Sequence, residues 1–84
     1  MYRVEFTRRA ERELRELIPD IQTRVAEAVK RLEQNPRPPG CKKLHGEKSL
    51  WRVRVGDFRI VYRVHDDVLQ VLVIKIGNRK DVYQ

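Results

Sequence analysis

The stretch Leu50–Val64, LWRVRVGDFRIVYRV, decides how this chain folds. Apolar and charged residues alternate on both sides of Gly56-Asp57, the pattern of two half-buried strands joined by a tight turn. A two-residue turn sets Val55 opposite Phe58, Arg54 opposite Arg59, Val53 opposite Ile60, Arg52 opposite Val61 and Trp51 opposite Tyr62. One face then carries Trp51, Val53, Val55, Phe58, Ile60 and Tyr62, and belongs against a helical layer. The other carries Arg52, Arg54, Arg59 and Arg63. A slip of one residue would scatter the arginines to both faces.

The rest of the chain builds outward from this hairpin. Tyr2–Thr7 alternates as a half-buried strand, with Thr7 placed to cap the helix that follows. In RRAERELRELI the apolar positions Ala10, Leu14, Leu17 and Ile18 share one helical face. Pro19-Asp20 breaks that helix and starts a second, whose stripe is Ile21, Val25, Ala28, Val29 and Leu32. NPRPPG, residues 35–40, ends it, because proline lacks an amide donor. CKKLHGEKS reads as a basic loop. After the hairpin, Asp66-Asp67 makes a turn, and Val68–Ile76 is apolar almost throughout, as expected of a central strand covered on both faces. The order is β-α-α-β-β-β. It predicts an α+β fold, a small antiparallel sheet with a two-helix hairpin on one face, as one domain over residues 1–84.

Composition narrows the function. The 84 residues include 19 Lys and Arg against 12 Asp and Glu, a formal charge of +7. That excess favours a polyanionic partner: nucleic acid, an anionic membrane or an acidic protein. No apolar run approaches the roughly 20 residues of a membrane-spanning helix, and the N-terminus lacks a signal-peptide core. The single cysteine, Cys41, precludes an internal disulfide and fits a reducing compartment. A cytoplasmic protein is expected. No Gly-rich phosphate loop and no Cys/His cluster is present, so no metal or other cofactor is expected. His45, His65 and Cys41 lack clustered partners and read as structural or surface residues.

The arginine face is the candidate site. Like charges opposed across a sheet are unfavourable, yet Arg54 and Arg59 are so placed. The guanidinium fork suits bidentate phosphate contacts. A solvated polar face would also carry single arginines; four together, with no acid on that face, favour an anion-binding surface. Arg79 and Tyr83 follow the last strand and can reach back over the same face. Nearby cations would favour the phenolate of Tyr83. Lys42, Lys43 and Lys48 would supply backbone contacts to a nucleic acid.

These residues resemble a known family. KKLHGEKSLWRVRVGDFRIVYRV is similar to the central signature of the RelE/ParE toxin superfamily: a Lys-Leu-x-Gly loop, an aromatic-Arg-x-Arg strand, Gly-Asp, then aromatic-Arg-x-x-Tyr. The resemblance covers nearly the whole chain, and the terminal Arg-x-x-Val-Tyr also fits. It implies the toxin of a toxin–antitoxin pair. One branch, typified by RelE, holds ribosome-dependent messenger-RNA endonucleases that act in the ribosomal A site. Carried over, its basic positions fall on Arg52, Arg54, Arg59 and Arg79, and its tyrosine on Tyr83. Lys42, Lys43, Lys48 and Arg63 would contact RNA or the ribosome. The resemblance further implies a cognate antitoxin. The other branch, typified by ParE, inhibits DNA gyrase without cutting nucleic acid. A basic RNA-binding module without chemistry is the third reading.

Overall fold

The computed structural model describes residues 1–44, 46 and 50–78. Strand β1 (Arg3–Phe6) leads into helices α1 (Arg8–Arg15) and α2 (Pro19–Gln34). Strands β2 (Lys42–Lys43), β3 (Leu50–Val55), β4 (Phe58–His65) and β5 (Gln70–Asn78) follow. They form one five-stranded sheet in the order β1-β5-β4-β3-β2. The α+β architecture agrees with the sequence reading. No helix among the described residues is long and apolar enough to cross a membrane.

The hairpin register is the expected one, from Val55 opposite Phe58 to Trp51 opposite Tyr62. Gly56 turns the chain at φ +59°, while Asp57 keeps a negative φ. That is the type II′ pattern, whose twist matches the flanking strands. The apolar face packs on the helices. Val55, Ile60, Tyr62, Val64, Val71, Val73 and Ile76 meet Ala10, Val25, Ala28 and Leu32 in one buried cluster. The Tyr62 hydroxyl crosses this core and donates to the carbonyl of Pro36 at 2.7 Å. Residues 35–40 are thereby tied to the sheet.

Helix α1 begins where expected. The Thr7 side chain accepts from the amide of Ala10 at 3.1 Å. It ends earlier than the apolar stripe suggests. Pro19 disfavours helical geometry in the residue before it, so Ile18 is extended (φ −65°, ψ 153°) and 65% exposed rather than buried. Gln22 then closes the end of α1 by donating to the carbonyls of Leu14 and Arg15.

Four further features depart from the sequence reading. The pair β1–β5 is parallel, so the sheet is mixed rather than wholly antiparallel; alternation fixes which residues share a face but not strand direction. Lys42–Lys43, read as loop, adds a short edge strand to β3. The segment Asp66–Val68 is a 3₁₀ turn ending in Leu69 at φ +51°, so the last strand starts at Gln70 and not at Val68. Val68 and Leu69 are consequently exposed.

The fourth departure shapes the site. Val61 pairs with Lys75 but Tyr62 pairs with Val73, which leaves Ile74 as an extra residue in β5. A bulge of this kind reverses the in/out alternation beyond it. The freed backbone groups are taken up by α1. Thr7 donates its hydroxyl to the Ile74 carbonyl at 2.8 Å. Glu13 accepts from the Ile76 amide at 2.8 Å.

Candidate nucleic-acid interface

Strand register sets the open face of the sheet in rows, three of which hold the candidate cations. Lys42, Arg52, Val61 and Lys75 lie side by side across four strands. Nearer the hairpin tip, Arg54, Arg59 and Gly77 form the next row. Towards the other end, Leu50, Arg63, Leu72 and Glu5 form the third. The first two rows therefore hold five cations and no carboxylate. Glu5 sits at the far edge, engaged by Arg3 at 3.0 Å and by Gln70 at 2.8 Å.

The cations differ in exposure. Arg54 and Lys42 are exposed; Arg52, Arg63 and Lys75 are half-buried. Arg59 is buried, with 4% of its surface accessible. The sequence reading put Arg59 on this face, as the register shows, but its burial there was not foreseen. It lies between Arg54 and Gly77, and glycine contributes no side chain beside it. Burying a cation is costly unless its hydrogen-bonding groups are met. An anion placed on this face would meet a guanidinium already stripped of bulk water.

Lys43 does not join the group. It is opposite Trp51 and so belongs to the helix-side face of the sheet. Lys48, Arg79 and Tyr83 lie outside the described residues, as does His45. Lys75, in contrast, was not foreseen. Simple alternation from Val71 and Val73 would aim it at the helices; the bulge at Ile74 turns it to the cationic face. Glu13, on α1, accepts from the Ile76 amide and so holds that bulge in place. The sole sequence hint is that a lysine interrupts an otherwise apolar run.

The described tyrosines serve structure. Tyr2 donates to Asp66 at 2.6 Å, and this bond raises the pKa of its hydroxyl. Burial raises that of Tyr62, with Cys41 adding to the effect. Asp66 also receives Arg37 through both terminal nitrogens, at 3.1 and 2.6 Å. Arg37 and then Tyr2 hold its carboxyl down to about 2. Arg37 in turn lies 5.2 Å above the Trp51 ring, a cation–π contact.

The family of the ParE toxin of type II toxin–antitoxin systems, parDE, matches residues 4–83. The chain belongs to the RelE/ParE toxin superfamily. Toxin RelG of Mycobacterium tuberculosis is 34% identical over 84 residues, covering 99% of this chain and 97% of RelG. The archaeal RelE–RelB complex of Pyrococcus horikoshii OT3 contains a chain that superimposes with a TM-score of 0.84 at 28% identity, covering 96% of this chain and 98% of that one. The intact E. coli RelBE toxin–antitoxin complex gives 0.83 at 26% identity, covering 93% and 96%. This type II toxin domain thus keeps the superfamily's fold over most of its length.

Proposed function

We propose that this toxin is a metal-independent endoribonuclease that enters the ribosomal A site and cuts messenger RNA during translation. The observation that carries the reading is the opposed pair Arg54 and Arg59, set beside Arg52 and Lys75 in two rows that hold no carboxylate among the described residues. Such an array is suited to a phosphate whose charge grows as the reaction proceeds. The ribose 2′-OH of the message attacks the adjacent phosphorus. The bond from phosphorus to the 5′ oxygen breaks, leaving a 2′,3′-cyclic phosphate and a 5′-OH. Arg59, with Arg52, Arg54 and Arg79, holds the phosphate. Lys42, Lys48 and Arg63 contact RNA or ribosome around it.

The 2′-OH proton needs an acceptor. Tyr2 and Tyr62 both donate hydrogen bonds and have raised pKa values, so neither suits a base. Tyr83 is the remaining tyrosine of the three, and it is assigned this role. Positioning by the ribosome supplies much of the rate, which fits so sparse a set of groups. A cognate antitoxin, of the kind that RelB is in the related complexes, would cover the cationic face.

Cleavage by purified protein on programmed ribosomes is the test. Tyr83→Phe should cut roughly 10²–10⁴-fold more slowly, with ribosome affinity nearly unchanged. Equal rates would remove Tyr83 from the mechanism. Arg59→Lys keeps the charge but loses the planar fork, and should cost about 10²-fold. The family description itself names ParE, which supports gyrase inhibition as the second reading. DNA damage on brief induction, with no new 5′ ends inside translated frames, would establish that reading and refute the first.

A further inference from the structure

A second cationic feature lies around the tip of the hairpin. Arg24, Glu27 and Arg31 are spaced three and four residues apart along α2 and so share one face of that helix. With Arg54, Val55 and Gly56 of the hairpin they line an open cleft of about 240 Å³. Three guanidiniums thus converge against one carboxylate. Among the described residues no salt bridge joins Glu27 to any of them; the ion pairs present are Arg3–Glu5, Arg9–Glu13 and Arg37–Asp66. Arg54 is turned to the tip by a bond from its Nε to the Gly56 carbonyl at 3.3 Å. The Arg24 guanidinium is packed over Gly56, so close that a methyl group there would lie 3.4 Å from its Nη2.

Converging like charges with no ion-pair partner cost stability unless an anion takes its place between them. Guanidiniums prefer phosphate and carboxylate, which they grip through two parallel N–H donors. Continuity decides between the two. Arg54 belongs both to this cleft and to the row that holds Arg59, so a polyanion lying on the sheet face meets the cleft without a break in positive charge.

We propose that the cleft between α2 and the hairpin tip is a separate phosphate-binding subsite, taking a backbone phosphate of RNA one or more nucleotides away from the group held on the sheet face. This rests on the RNA reading given above. Arg24 and Arg31 fix the strand in place and make no contact with the reacting atoms, while Arg54 is shared with the sheet-face site. Glu27 moderates its affinity.

The probe is a single-stranded oligoribonucleotide carrying 2′-O-methyl groups throughout, which cannot be cut by 2′-OH attack. Binding is measured against salt for the native protein, for Arg24→Gln/Arg31→Gln and for Glu27→Gln. Arg24 and Arg31 are exposed, and glutamine is a good helix former, so the double variant keeps its fold. Its slope of log affinity against log salt should fall by about 1, while Glu27→Gln binds a few-fold tighter. In ¹⁵N spectra, the Arg24 and Arg31 Nε–H signals should move on adding the oligonucleotide. An unchanged slope overturns the proposal. So does a larger movement of those signals with a glutamate-rich peptide, which would make the cleft a protein-docking surface. Cleavage on programmed ribosomes is scored separately. Cutting with an unchanged slope refutes the cleft alone; the reduced slope without any cutting supports the cleft and refutes the nuclease.

Discussion

Removing the Glu13 side chain should damage the sheet from a helix that lies outside it. Its Oε1 accepts the amide of Ile76 at 2.8 Å. Ile76 is 2% exposed, so water cannot take over that amide once the carboxylate is gone. A hydrogen bond to a charged group contributes about 1.5–3 kcal/mol, and a buried donor left unmet costs about 1–3 kcal/mol. The accompanying Arg9–Glu13 pair is more than half exposed on the arginine side and adds little. Glu13→Ala is therefore expected to cost about 2 kcal/mol. For a domain of this size that lowers Tm by roughly 8–16 °C, at about 4–8 °C per kcal/mol. Glu13→Gln retains an acceptor oxygen and should lose less than half as much. Urea unfolding gives the free energies, and amide exchange at Ile76 gives the local effect. If Glu13→Ala unfolds within about 0.5 kcal/mol of the native protein, and the Ile76 amide stays as protected as before, the bulge does not depend on α1.

Tyr62→Phe removes a hydroxyl that is wholly buried and bonded to the buried Pro36 carbonyl. It should destabilise by about 1–3 kcal/mol without affecting RNA affinity, and a change in affinity larger than the change in stability would contradict its placement on the helix side. Asp66 titrates at about 2 in the folded protein, below its ordinary 3.8. Its contribution is therefore present above about pH 4 and disappears as the pH falls through about 2. Unfolding midpoints measured over that window should fall more steeply for the native protein than for Asp66→Asn, and parallel curves would show that the contacts of Asp66 with Arg37 and Tyr2 do not form.

The sequence carries the hairpin register almost completely, because Gly56-Asp57 allows one tight turn and the apolar residues accept one face. Thr7 as a cap and the two helical stripes are legible for similar reasons: each follows from local geometry. What escaped is non-local. The bulge at Ile74 depends on Thr7 and Glu13, more than 60 residues away, and no pattern within β5 announces it. Lys75 was missed with it. The burial of Arg59 likewise depends on what lies across it, not on its own strand. Arg52, Arg54, Arg59 and Arg63 came together on one face as expected, whereas Lys43, adjacent in sequence to Lys42, is separated from them by the sheet itself.

The parallel pairing of β1 with β5 has a consequence for the order in which the molecule takes shape. Among the described residues, Arg3–Phe6 finds its only strand partner in Gln70–Val73, and α1 is anchored through Thr7 and Glu13 to Ile74 and Ile76. These elements thus wait for a strand synthesised more than 60 residues after them. Contacts this distant in sequence close late, because the chain between them must first be ordered. Lys75 and Gly77 reach the cationic face only with that same final strand. A nascent chain lacking β5 has neither a closed sheet nor a completed anion surface. In a toxin proposed to attack ribosomes, the topology itself delays that surface until synthesis of the strand is over.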